Sequence, residues 1–177
     1  MPGINEFFQD LDSRLQRRQV SKLKLRLIGS AALMSLSGQV WNTDDADILE
    51  SLDLDLKDKE QLLQLAGPGT DIDKRHGLYL EFVSNGLTVL PQSPRFTEIL
   101  KPLSLTCLEI EALDVVDVVV SKLARFNARD VRDIRRMADA GRLPQAELLA
   151  RFKSAMSLME LDARADERGL VDAVGKT

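Results

Sequence analysis

Cysteine, histidine and aromatic residues are scarce in this chain of 177 residues, and each shortage excludes something. Cys107 is the only cysteine, so no intrachain disulfide framework can form, which fits a reducing cytoplasm. His76 is the only histidine, and a zinc site of the His/Cys kind cannot be assembled within one chain. Aromatic residues make up 5% of the sequence, too few for the stacking platforms that hold single-stranded nucleic acid. No uncharged stretch approaches the ~20 residues needed to span a bilayer. The acid-bearing N-terminus MPGINEFFQDLDSRLQRR lacks the apolar run of a signal peptide. The expectation is a cytoplasmic protein with no membrane partner. Positive charge is not in excess either: a formal net charge of −4 argues against a wholly basic nucleic-acid binder.

What is present is ordinary for a globular protein: 44% hydrophobic and 29% charged residues, enough to bury a real core. Residues 4–20 read as an amphipathic helix, with Phe7, Leu11 and Leu15 four apart. Residues 22–27 alternate, with Leu23, Leu25 and Leu27 on one face of a half-buried strand. Ser30 is suited to cap a helix over 31–36 that Gly38 would stop, and a second strand should lie within 40–49, ending at or just after its acidic pair. Residues 50–57 alternate, 57–66 predict a helix closed by Gly67-Pro68-Gly69, and 71–75 a continuing loop. A strand is predicted over 78–84, and Asn85-Gly86 signals a hairpin returning through 87–90. Residues 91–102 read as irregular or edge structure and 103–110 as a strand. Helices are expected over 113–126, 127–140 and from Pro144 to about Leu161. The predicted fold class is α/β (α+β): a small mixed β-sheet flanked by helices, with a helical C-terminal portion. Its core would occupy residues 1–112 and the helical portion 113–177, packed as one compact unit.

The most informative stretch is LIGSAALMSLSGQVWNTDDADILE, residues 27–50. An apolar strand runs into Gly29-Ser30, and a glycine-serine turn opening a helix leaves backbone N–H groups unpaired for an anion. Further on, Asp45 and Asp47 sit two apart, so on a strand they share a face while Ala46 and Ile48 turn to the core. Paired hard oxygens beside an anion cradle suit Mg²⁺ bound together with substrate phosphates. The pattern is cheap by itself: Asp53 with Asp55 and Asp71 with Asp73 repeat it without a preceding Gly-Ser turn.

These residues, with Thr43, the later SKLAR (residues 121–125) and RDVRDI (residues 129–134), resemble the nucleotidyltransferase superfamily with a polymerase-β-like fold. Within it, the similarity is to AbiEii-type toxins and related nucleotidyltransferase-like proteins, over roughly residues 23–140. The resemblance implies that Asp45 and Asp47 are catalytic metal ligands for Mg²⁺ or Mn²⁺, and that Gly29 and Ser30 cradle the phosphates of a nucleoside triphosphate. A third carboxylate is expected on a neighbouring strand, and Glu81 is the candidate as the only acid in LYLEFVS. The resemblance also makes Lys122 and Asp130 nucleotide-binding candidates. It implies an RNA or protein acceptor and an antitoxin-like protein partner. Two features depart from the pattern: Trp41 stands where related sequences carry an arginine, two residues before Thr43, and about fourteen residues separate Ser30 from Asp45, somewhat more than the usual gap.

Each assignment has a plainer competitor. Glu81 could lie on a solvated sheet face, Lys122 could end an apolar helix where it complements the dipole, and Asp130 and Asp133 could pair locally with Arg129 and Arg132. Arg125, Arg129, Arg132, Arg135 and Arg136 form a basic stretch that could meet RNA, tempered by Asp130, Asp133 and Asp139. His76 and Cys107 read as structural, Cys107 as a small buried apolar group. The expected function is Mg²⁺-dependent transfer of a nucleoside monophosphate. The alternative is a catalytically inactive binding module on the same fold, such as a toxin–antitoxin or regulatory partner.

Overall fold

The computed structural model describes residues 3–37, 43–51, 53–100 and 103–174, with 160–174 described by backbone alone. Among the described residues five strands form one mixed sheet: β1 (Leu23–Leu27), β2 (Asp45–Leu49), β3 (Tyr79–Val83), β4 (Phe96–Ile99) and β5 (Leu108–Leu113), in the order β3-β2-β1-β5-β4. Strand β1 pairs antiparallel with β2 and parallel with β5, β2 pairs parallel with β3, and β4 antiparallel with β5. The helices are α1 (Ile4–Arg17), α2 (Gly29–Ser37), α3 (Leu56–Ala66), α4 (Asp71–His76), α5 (Val115–Arg125), α6 (Ala128–Asp139) and α7 (Gln145–Val174). This is the α/β class expected, with helices at the C-terminal end. No helix among the described residues is long and apolar enough to cross a membrane.

Alternation on the strands separates an apolar face from a charged one. Leu23, Leu25 and Leu27 on β1 pair with Leu108 and Ile110 of β5, Ala112 and Ile48, all buried with Ala46 and Leu80 in one core. Phe7, Leu11 and Leu15 of α1 close that core, as their spacing predicts, and Phe8 joins them. The same alternation sends Lys24, Arg26, Glu109, Glu111, Asp45, Asp47 and Glu81 to the other side. There Lys24 pairs with Glu111 at 2.8 Å and Lys22 with Glu109 at 3.1 Å.

Two buried acids pin helices to this frame. Asp12 of α1 accepts from the backbone N–H of Thr106 (3.1 Å), Cys107 (2.7 Å) and Leu108 (2.9 Å), tying α1 to the start of β5. Beneath it, the Cys107 thiol is buried against the Val20 carbonyl, and burial pushes its pKa up. Asp117 of α5 is fully buried and takes Arg151 of α7 through Nε at 2.7 Å and Nη2 at 2.5 Å, with the Arg95 N–H at 2.8 Å. His76 packs edge-on against Phe7 and its Nε2 lies within hydrogen-bond distance of Asp10 Oδ2 at 3.1 Å, a structural place.

Several local expectations are corrected. Strand β2 ends at Leu49, just after the acidic pair as expected, but starts only at Asp45, so the pair opens it. Ser30 lies within the first turn of α2 and does not stand before it as a cap. Residues 71–75 are helical: Thr70 accepts from the Asp73 N–H and caps α4, a signal hidden behind Gly67-Pro68-Gly69. Residues 50–55 are irregular where described, and Asp55 caps α3. Asn85-Gly86 makes a 3₁₀ turn (Asn85–Leu87), since neither residue adopts the positive φ that a two-residue hairpin needs, and β3 pairs with β2 instead of with a returning strand. The strand expected over 103–110 is shifted to β5. Gly38 and Trp41 lie outside the described residues.

Candidate functional site

Strand β1 ends by donating one more ladder bond, from the Ile28 N–H to the Asp47 carbonyl at 2.9 Å. Gly29 then takes φ +65° and turns the chain into α2 directly over the Asp47 side chain. A Cβ placed on Gly29 would collide with Asp47 Oδ2, so glycine is needed here both for the left-handed backbone and for the close approach. The Gly-Ser turn and the acidic pair, apart in sequence, therefore meet.

The register of β2 on β3 adds the third acid. Asp47 lies opposite Glu81 and Asp45 opposite Tyr79, so all three carboxylates rise from one face. One oxygen from each of Asp45, Asp47 and Glu81 falls within 4.8 Å of the others. Thr43 donates to Asp45 Oδ1 at 2.6 Å, fixing that carboxylate and leaving Oδ2 for another partner. Burial is the first cause that pushes the Asp47 pKa up, to about 6, with repulsion from Asp45 and Glu81 adding to it; Arg125 and Lys122 pull the other way. A cation held by the three groups would relieve that repulsion. Hard oxygen donors with one hydroxyl-oriented carboxylate are the donor chemistry that Mg²⁺ or Mn²⁺ takes. The other acidic pairs are spent elsewhere: Asp55 and Asp73 accept from the backbone N–H groups of Asp58 and Gly69, and Asp53 faces Arg26 at 3.6 Å.

Beside Gly29 and Asp47 opens a cavity of about 130 Å³. Ile28, Val83, Leu87 and Val89 give it an apolar wall, and Thr88 and Arg125 polar groups. Arg125 is exposed over most of its length and reaches Asp130 Oδ1 at 3.2 Å. In the sequence it is one arginine among several, and only the fold sets it apart.

Ser30, Lys122 and Asp130 are brought together as well, but in a buried cluster. Lys122 is 1% exposed and donates to Ser30 Oγ (3.0 Å), Asp133 (2.7 Å) and Asp130 (3.3 Å). Ser30 donates in turn to Asp133 at 3.0 Å. Asp130 and Asp133 thus face inward to Lys122, and the local helix pairing with Arg129 and Arg132 does not explain them. The backbone of Gly29 remains at the carboxylates, whereas the Ser30 hydroxyl turns to this cluster. Arg129 lies 3.9 Å from Asp44, next to the start of β2.

Comparison with known proteins places the chain in a family. A family model described as a nucleotidyltransferase of unknown function (DUF6036) covers residues 4–168. No curated protein and no solved structure matches the chain.

Proposed function

The chain belongs to this family of nucleotidyltransferases, and from that premise we propose that it moves a nucleoside monophosphate from a nucleoside triphosphate to an acceptor hydroxyl with Mg²⁺ or Mn²⁺. The observation that carries the proposal is the meeting of the Gly29 turn with the carboxylates of Asp45, Asp47 and Glu81. Those three side chains would hold the metal, which supplies neutralisation of phosphate charge and polarisation of the reacting oxygens. The chain's own part is placement. Thr43 keeps Asp45 turned to the site. The left-handed turn at Gly29 brings the N-terminal N–H groups of α2 beside the same carboxylates, where a helix start favours negative charge. Catalysis of this kind is positioning plus electrostatics, so a single misplaced carboxylate is costly. The acceptor in this reading is RNA or protein, and the AbiEii-type resemblance adds an antitoxin-like protein partner.

The test is transfer of label from α-phosphate-labelled ATP, GTP, CTP and UTP to total RNA or protein, with Mg²⁺ or Mn²⁺. Incorporation by the wild type that falls at least ~100-fold in Asp45→Asn supports the assignment. Undiminished incorporation by the variant refutes it. Failure of calorimetry to detect any of the four nucleotides would point to the inactive binding module.

A further inference from the structure

Lys122, the cation that the family resemblance offers to a nucleotide, has no hydrogen left to give. Lysine carries three donors, and those of Lys122 go to Ser30, Asp130 and Asp133. Phosphate oxygens only accept, and the Ser30 hydroxyl has likewise spent its one donor on Asp133. Lys122 is also buried, so a phosphate could reach it only by opening the cluster and leaving Asp133 unpaired in the interior. Arg125, one turn further along α5, has the opposite character. Its side chain is 62% exposed, Asp130 is its one ion-pair partner among the described residues, and it lines the cavity with Gly29 and Asp47. Five guanidinium donors in a planar fork leave most of them for a polyphosphate.

Building on the transferase reading, we propose that Arg125 is the cation that receives the nucleotide's phosphates, and that Lys122 is a positioning residue that holds the turn at Gly29 and Ser30 against Asp47 without touching substrate. Ser30 is the link: it sits in the first turn of α2, next to the glycine that abuts Asp47, and Lys122 and Asp133 fix it from α5 and α6. Asp130 serves both cations through Oδ1, tethering Arg125 at the cavity while steadying Lys122. The cavity is small beside the ~300–1,000 Å³ of ordinary ligand sites, which suits phosphate and sugar better than a whole nucleotide.

The experiment is calorimetry of the full chain with inorganic tripolyphosphate and the four nucleoside triphosphates, each with Mg²⁺, over a series of salt concentrations. Arg125→Ala should weaken tripolyphosphate binding about 10- to 100-fold, flatten the dependence of affinity on salt, and leave the melting temperature nearly unchanged; Arg125→Lys should recover part of the loss. Lys122→Met should lower the melting temperature and keep the wild-type salt dependence in whatever binding remains. Ser30→Ala, which spares the buried charges, provides the same readout if Lys122→Met does not fold. Arg125→Ala binding as wild type with an unaltered salt slope overturns the inference alone. Wild-type protein that binds none of these ligands overturns the transferase reading and the inference with it.

Discussion

Asp47 bears the burden of the site as a residue. Its carboxylate is half-buried between two others, and its pKa is pushed up to about 6 from the usual 3.8, first by burial. The folded state therefore binds a proton more tightly than the unfolded chain, and stability falls as pH rises from about 4 to about 6. The penalty is absent below that window and complete above it. At about 1.4 kcal/mol per unit, discounted for the exposed part of the group, it amounts to about 1–3 kcal/mol. Asp47→Asn should consequently raise the melting temperature of the metal-free protein at pH 8 and leave it unchanged at pH 4, while abolishing transfer. Calorimetric melts at the two pH values check this. Gly29→Ala should do the reverse, costing about 1–3 kcal/mol because both the φ of +65° and the Asp47 contact oppose a methyl group. Chemical denaturation measures that loss. At this scale the acids were readable: Asp45 and Asp47 by their spacing, Glu81 by standing alone in an apolar strand. The different fates of Lys122 and Arg125 were not, since two cations three residues apart look alike until the fold buries one of them.

Elements were legible where local chemistry and tertiary packing agree. The alternation of β1 and the apolar stripe of α1 each announce the structure they form. Where the two levels disagree, the sequence misleads. Asn85-Gly86 is strong hairpin chemistry, yet β2 offers β3 a parallel partner that no local signal encodes. The docking of α7 also depends on a distant pair, Asp117 with Arg151. Asp117→Asn should destabilise the protein by about 3 kcal/mol, the low end for breaking a buried ion pair, because Arg151 retains some access to water. Limited proteolysis should then cut within α7 before any other helix. If α7 stays protected, that pair is not its anchor.

The whole molecule keeps its sheet asymmetric, one face given to the core and the other to charge. The strand order places β2 between β1 and β3, and so sets the glycine turn from one neighbour and the third acid from the other beside the same aspartate. No reading of single segments supplies that order, so the meeting of Gly29, the two aspartates and Glu81 was expected from the family resemblance and not from any local pattern. A ligand that binds only the assembled sheet stabilises all of it: Mg²⁺ at a hundredfold excess over its dissociation constant should add about 2.7 kcal/mol. Thermal shifts should show this for the wild type and not for Asp45→Asn. The pinning of α1 by Asp12 has a practical consequence. Because Cys107 is the sole thiol and lies under that helix, its rate of alkylation by a maleimide reports how often the N-terminal segment peels away, which makes the native chain a built-in clock for its own opening.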